Sequence, residues 1–363
     1  MRANNDILDL LREKGAEAAR RAQRGVIIQP GAIGDCILTL PLAAFMKETL
    51  GLGGVDILGH TEYVGILPGR SCIDTVSSID SVDLHRLFVD TKEFNLEDRD
   101  SLINTFSGYA WIVTFLGEPE SNFEQNLIFT ANCSHSAEVI TLPLKPPKDY
   151  SAHLTDFYIH RFISQSAFSL QAPASSDPSR GGGQAQQDRL NDCLIKATET
   201  DIAQGKKLLK ETGIAPGKKM VVIQPGSGGL NKCWHVDNFL AVAKELGLKG
   251  IEVIFLLGPA ERDRFGDDTI KNISSIARPL KNLSLAQALE IISCADAFIG
   301  NDSGITQLAG ALGVKTLVVF GPTNPAVYKP IGPAVTVFEK KNKTFAKKSS
   351  PGSLRELLDL LME

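Results

Sequence analysis

The sequence has no two cysteines spaced as Cys-x-x-Cys. Its six cysteines, Cys36, Cys72, Cys133, Cys193, Cys233 and Cys294, are scattered through 363 residues. That reads as the reduced thiols of a cytosolic protein and argues against a disulfide framework or a thiol-paired zinc site. The histidines are equally dispersed, with no His-Glu-x-x-His and no pair at metal-ligand spacing. No Asp-x-Asp stands at a strand end, so a metal-bridged diphosphate is not suggested. A surplus of positive charge is also missing: the formal net charge is -4, which opposes a dedicated nucleic-acid binder. No apolar run approaches the roughly 18 residues a membrane span needs, and the first 25 residues lack the apolar core of a signal peptide. The expectation is a soluble, cytoplasmic protein.

What is present is an ordinary globular composition, 43% hydrophobic and 22% charged, in a chain longer than one core usually supports. Two domains follow as the starting expectation. The opening segment, with Ile7, Leu8, Leu10 and Leu11 followed by Arg20, Arg21 and Arg24, reads as an amphipathic helix packed on a domain surface. Docking on an anionic membrane is the weaker alternative. Short apolar runs then alternate with helical patterns, as in parallel strands joined by crossover helices. The alternation breaks at Gln171 to Arg189, rich in Pro, Gly, Ser and Gln, which reads as a linker or loop. It restarts at "KMVVIQPG" and closes with "KTLVVFGPTNP". "VIIQPGAIGD" from Val26 and "VVIQPGSGGLNK" from Val221 are near echoes. Each marks the first strand of a Rossmann-like α/β unit, with ligands expected at the carboxyl ends of the strands.

Neither echo completes a nucleotide fingerprint. Gly31-Ala32-Ile33-Gly34 lacks the middle glycine of GxGxxG. The second loop has Asn231 where a third glycine would stand, and Lys232 is followed by Cys233 where a P-loop needs Ser or Thr. NAD and ATP-hydrolysis readings are therefore weak. The strongest local chemistry is "FIGNDSGITQLAGALG". Asn301, Asp302 and Ser303 are good capping residues, and Ser303 and Gly304 leave backbone N–H groups open to phosphate oxygens; capping alone is an equally good account. Lys232 is either a point charge for a pyrophosphate or a solvated loop lysine. Asp35 is either a cap of the first helix or a general base. Pro41 suits the first turns of that helix or a kink, Trp111 and Trp234 read as core or cleft-edge aromatics, and the lysines from Lys340 to Lys348 read as a solvated linker.

With these residues in order, the chain resembles glycosyltransferase family 9, the ADP-heptose:lipopolysaccharide heptosyltransferases. "QPGAIGDCILTLPLAAFMK" is similar to the family's opening Gly-Asp-x-x-Leu-Thr-x-Pro segment, and "HLTDFYIHRF" to its His-x-x-Asp stretch. "VVIQPGSGGLNKCW" is similar to its donor-domain loop, and "FIGNDSGITQLAGALG" with "LVVFGPTNP" to its most diagnostic block. The resemblance spans about Val26 to Pro333. It implies the GT-B architecture, two facing Rossmann-like domains with a cleft between them. It also implies inverting, metal-independent transfer of a heptose to a hydroxyl of a lipopolysaccharide core acceptor, or another lipid-linked glycan.

By the same resemblance Asp35 is the catalytic base. Gly34, Gly226, Ser227, Lys232, Asp302, Ser303, Gly304 and Gln307 bind substrate, with no metal and no cofactor beyond the donor substrate ADP-heptose. Gln307 stands where the family has His, and a glutamine can hydrogen-bond a phosphate or sugar hydroxyl without carrying a proton charge. The expected domains are an acceptor domain over 1–200, with its insert at 171–189, and a nucleotide-sugar donor domain over 201–345. A final helix over 346–363 could cross back onto the first domain, and a peripheral contact with the inner membrane is left open. A transferase using another nucleotide sugar and a non-catalytic nucleotide-sugar-binding protein are the alternatives. A dehydrogenase is disfavoured by the two broken fingerprints.

Overall fold

The structure is a computed structural model, and it describes residues 23–166, 194–214, 217–339, 345 and 351–362. The expected N-terminal helix, the Gln171–Arg189 insert and nearly all of the Lys340–Lys348 stretch lie outside those residues. The described residues divide into two compact units, one of 23–149 with 154–166, the other of 150–153 with 194 onward.

The first unit is built on β1 (Arg24–Gln29), β2 (Gly54–Gly59), β3 (Val76–Ser78), β4 (Tyr109–Thr114) and β5 (Glu138–Thr141). All pair in parallel, in the order β3-β2-β1-β4-β5. β1 is central and buried from its second residue on, as a strand covered on both faces must be. Val26 and Ile28 share one core with Phe106, Phe123 and Leu127. On the other face the helices Ile33–Thr49 and Leu154–Gln165 pack together, with Phe45 edge-on to Phe162 and Trp111 tilted against the same ring. Pro41 stands inside the first of these helices.

The second unit carries β6 (Met220–Gln224), β7 (Glu252–Leu257), β8 (Arg278–Lys281), β9 (Ala297–Asn301), β10 (Lys315–Phe320) and β11 (Val335–Glu339). They form one parallel sheet in the order β11-β10-β9-β6-β7-β8. The chain starts in the middle, runs outward through β7 and β8, and returns to β9 beside β6. The order therefore reverses between β6 and β9, and ligands of such sheets bind beyond the carboxyl ends of that pair. Trp234, fully buried, anchors the core with Phe239, Phe255 and Phe338. The helix Glu199–Glu211 lies so close to Leu285–Ile292 that a side chain at Gly205 would collide with the Glu290 carbonyl.

One expectation differs. The final helix, Pro351–Met362, buries Leu357, Leu358 and Leu361 in the core of the second unit, against the helix Val236–Leu248. Its apolar stripe is thus used within the second unit, whereas the sequence reading left open a crossing back to the first.

In the first unit the carboxylate of Asp100 meets the guanidinium of Arg86 through two contacts of 2.9 and 2.7 Å and caps the helix Ser101–Phe106 by accepting from the Leu102 N–H. The Arg86 hydrogen bonds hold its pKa down at about 2. Because the folded value lies below the unfolded one, this stabilisation is complete above about pH 4 and is lost as the pH falls toward 2. Replacing Asp100 by Asn should cost at most about 2 kcal/mol at neutral pH, since Arg86 faces solvent. Urea unfolding of both proteins should show that gap closing between pH 5 and 2; a gap independent of pH would contradict the assignment.

Candidate active site

In the second unit, the site grows from the buried Asn301 at the end of β9. Its Nδ2 donates to the Pro225 carbonyl at 2.7 Å, and its Oδ1 accepts from the Trp234 N–H at 2.9 Å. One side chain thereby fastens the Pro-Gly loop after β6 to the segment carrying Lys232. Next to it, the Asp302 carbonyl accepts from Ser227 Oγ at 2.6 Å. The Asp302 carboxylate, with only 9% of its side chain exposed, accepts from Lys232 Nζ and Thr323 Oγ1, both at 2.8 Å and on the same oxygen. Lys232 keeps about a third of its side chain in solvent (35%), so its ammonium is anchored yet reachable.

Ser303 is the N-cap of the helix Gly304–Ala311, accepting from the Thr306 N–H at 3.3 Å, and its hydroxyl donates to Gln224 Oε1 at 2.9 Å. Capping and cross-strand support therefore occupy its side chain. The half-buried N–H groups of Gly304 and Ile305 have no partner among the described residues, and they sit at the positive end of the helix dipole. Gln224 in turn donates to the buried Glu261, which accepts from the Gly258 N–H at 2.9 Å. Gly226 must be glycine because a side chain there would collide with Glu261.

The structure thus brings together Gly226, Ser227, Lys232, Asp302, Ser303 and Gly304. Gln307 is the fourth residue of the helix Gly304–Ala311. It is buried, its Nε2 donates to the Tyr328 carbonyl at 2.9 Å, and its Oε1 has no hydrogen bond and no solvent contact among the described residues. His153 reaches the neighbouring Lys329 carbonyl at 2.8 Å.

Gly34 and Asp35 belong to the first unit, at the carboxyl end of β1. The helix begins at Ile33, so Asp35 is its third residue, and the carboxylate reaches back to accept from the Ala32 N–H at 3.1 Å. Asp35 is half-buried, and Gly31 has no side chain because Asp35 packs against it. Behind it, burial and the Asp35 charge push the Cys36 thiol up to about 12, which keeps it neutral and unreactive. Gln29 plays the part that Gln224 plays in the other unit. Its Oε1 accepts from the Gly31 N–H and its Nε2 donates to Thr39, both at 2.9 Å.

Thr323, Gln224 and Glu261 escape the sequence reading. The glutamine repeated in both QPG turns is a signal for Gln224. Nothing local marks Glu261 or the contact of Thr323. Among the described residues no group of three His, Cys, Asp or Glu could hold a metal ion, and no helix is long and apolar enough to cross a membrane.

Residues 184–357, which contain every element of this cluster, match the model of glycosyltransferase family 9 (heptosyltransferase). That match takes in just under half of the chain. Lipopolysaccharide heptosyltransferase 3 of Escherichia coli is 23% identical over 321 residues, 82% of this chain and 83% of that one. Lipopolysaccharide heptosyltransferase 1 of Pseudomonas aeruginosa is 34% identical over 111 residues, 30% of this chain and 31% of that one. Among solved structures, the E. coli ADP-heptose lps heptosyltransferase II superposes with a TM-score of 0.64 at 15% identity, covering 94% of this chain and 99% of that one. The E. coli heptosyltransferase WaaC with ADP gives 0.60 at 14%, covering 93% and 100%. The fold is that of GT-B glycosyltransferases, and the matched residues mark the chain as a glycosyltransferase.

Because Asn301 serves two buried backbone groups, Asn301→Ala should lower unfolding stability by about 2–3 kcal/mol. Guanidinium unfolding should show a lower midpoint with an unchanged slope. An unchanged midpoint would mean that the loop is held by other contacts.

Proposed function

We propose that the protein is an inverting, metal-independent heptosyltransferase that transfers heptose from ADP-heptose to a hydroxyl of a lipopolysaccharide core acceptor. The observation that carries this is the Lys232–Asp302–Thr323 cluster beside the open N–H groups of Gly304 and Ile305, at the strand-order reversal of a family 9 unit. The region 201–345 is the donor domain and 1–200 the acceptor domain. The chain works in the cytoplasm, peripherally at the inner face of the membrane that holds such an acceptor.

In this reading Asp35 takes the proton of the acceptor hydroxyl as its oxygen attacks the anomeric carbon. The bond from that carbon to the diphosphate oxygen breaks, and the electron pair leaves with the diphosphate. Lys232 and the N–H groups of Gly304 and Ile305 stabilise the charge that grows there, with Gly226 and Ser227 shaping the loop. Gly34 lets the acceptor approach the start of the Asp35 helix. Gln307 is the remaining donor-side residue of this reading. Since Gln307 holds no proton charge and its amide is fixed on Tyr328, another nucleotide sugar is the second reading.

Thermal-shift titration with ADP, UDP, GDP, CDP and NAD tests the donor. ADP at a hundred times its dissociation constant should stabilise the fold by about 2.7 kcal/mol, and Lys232→Ala should abolish the shift. A response to another nucleotide alone would replace the donor, and a response to NAD alone would end the transferase reading.

Asp35→Asn should keep ADP binding and reduce turnover by about 10²–10⁴-fold. Turnover near the wild-type rate would remove Asp35 from the chemistry.

A further inference from the structure

The loop after β6 is held from below by Arg264, the last residue of the helix Pro259–Arg264. Its Nη1 donates to the Ser227 carbonyl at 2.6 Å and its Nη2 to the Gly228 carbonyl at 2.9 Å. One planar guanidinium edge thus holds two successive carbonyls, a grip that an ammonium cannot reproduce. Both peptide bonds are trans, and in a planar trans peptide the N–H points opposite to the C=O of the same unit. The Ser227 carbonyl shares its peptide with the Gly228 N–H, and the Gly228 carbonyl with the Gly229 N–H. Arg264 therefore turns both N–H groups away from itself. Neither has a hydrogen-bond partner among the described residues. A side-chain carbon built on Gly228 would meet nothing within 4 Å, so there is room for a group to approach the backbone closely. Lys232 follows directly, on the short turn Leu230–Lys232.

We infer that Arg264 is a positioning residue, which by gripping the Ser227 and Gly228 carbonyls presents the Gly228 and Gly229 N–H groups as a pair to a diphosphate. Successive N–H groups on one side of a loop make an anion-binding concavity, and Lys232 adds the full charge that such a ligand needs. The inference rests on the donor-site reading above and extends it to a residue that touches no ligand itself.

The test compares Arg264→Lys and Arg264→Gln with the wild type by titration calorimetry, using ADP, adenosine and inorganic pyrophosphate. Both variants should lose about tenfold in affinity for ADP and pyrophosphate and stay within about twofold for adenosine. Arg264→Lys keeping wild-type affinity for ADP would mean that charge matters and the two-carbonyl grip does not, which overturns the proposal. Equal losses for ADP and adenosine would mean a general collapse of the site, and unchanged affinities would mean no role; either overturns it as well. If the wild type binds pyrophosphate but no nucleoside diphosphate, the donor reading fails while the N–H pair stands, and the variants' loss of pyrophosphate still decides it. If the wild type binds none of the probes, both readings fall.

Discussion

Two buried hydrogen bonds from Asn301 hold the candidate donor site together. β6 and β9 are neighbours whose following segments diverge, and nothing in the ladder between them fixes where the two loops go. Asn301 spans that gap, accepting from Trp234 and donating to Pro225. With the loop origin fixed there, Ser227 can reach the Asp302 carbonyl, Lys232 can reach the Asp302 carboxylate, and the helix from Gly304 points its N-terminus into the same space. A buried amide with both ends satisfied contributes a modest net free energy and a large specificity of geometry, because no alternative loop path satisfies the same groups.

The charge arrangement depends on that geometry. A carboxylate as enclosed as that of Asp302 must be compensated, and here Lys232 and the Thr323 hydroxyl share one of its oxygens. The lysine is consequently neither fully solvated nor locked in a closed ion pair. A dianionic leaving group reaching Lys232 from solvent would leave Asp302 with the Thr323 hydroxyl and the surrounding dipoles, so both charges can be satisfied in the loaded state.

The two units repeat one local solution. Gln29 and Gln224 each end a central strand and lie buried at the Pro-Gly turn that follows, the first bonded to Gly31 and Thr39, the second to Ser303 and Glu261. The same turn then serves different chemistry. In the first unit it presents Asp35, whose carboxylate accepts from the Ala32 N–H. In the second it presents backbone N–H groups and a lysine. A carboxylate in one unit, and a lysine beside open backbone N–H groups in the other, are thus presented by one strand–turn–helix device through the choice of residues after it.

The central strands β1, β2, β4, β6, β7, β9 and β10 were legible because strands buried on both faces must be apolar throughout, and the turns Pro30-Gly31 and Pro225-Gly226 were legible because few other residues end a strand so sharply. Ser303 as a cap was readable for the same local reason. The edge strands β5, β8 and β11 were not: they are short and half-exposed, and β8 reads Arg-Pro-Leu-Lys, with no local pattern to mark it. The reach of Thr323 to Asp302, the support of Gln224 by Glu261 and the inward turn of the last helix were equally invisible, since each joins residues far apart in the chain. Residue type and order along a strand or a cap act over one or two turns, and there the linear text suffices. Which carboxylate meets which lysine, and which glutamine is fixed to a carbonyl, is decided by strand order and packing, where sequence neighbours no longer determine spatial ones.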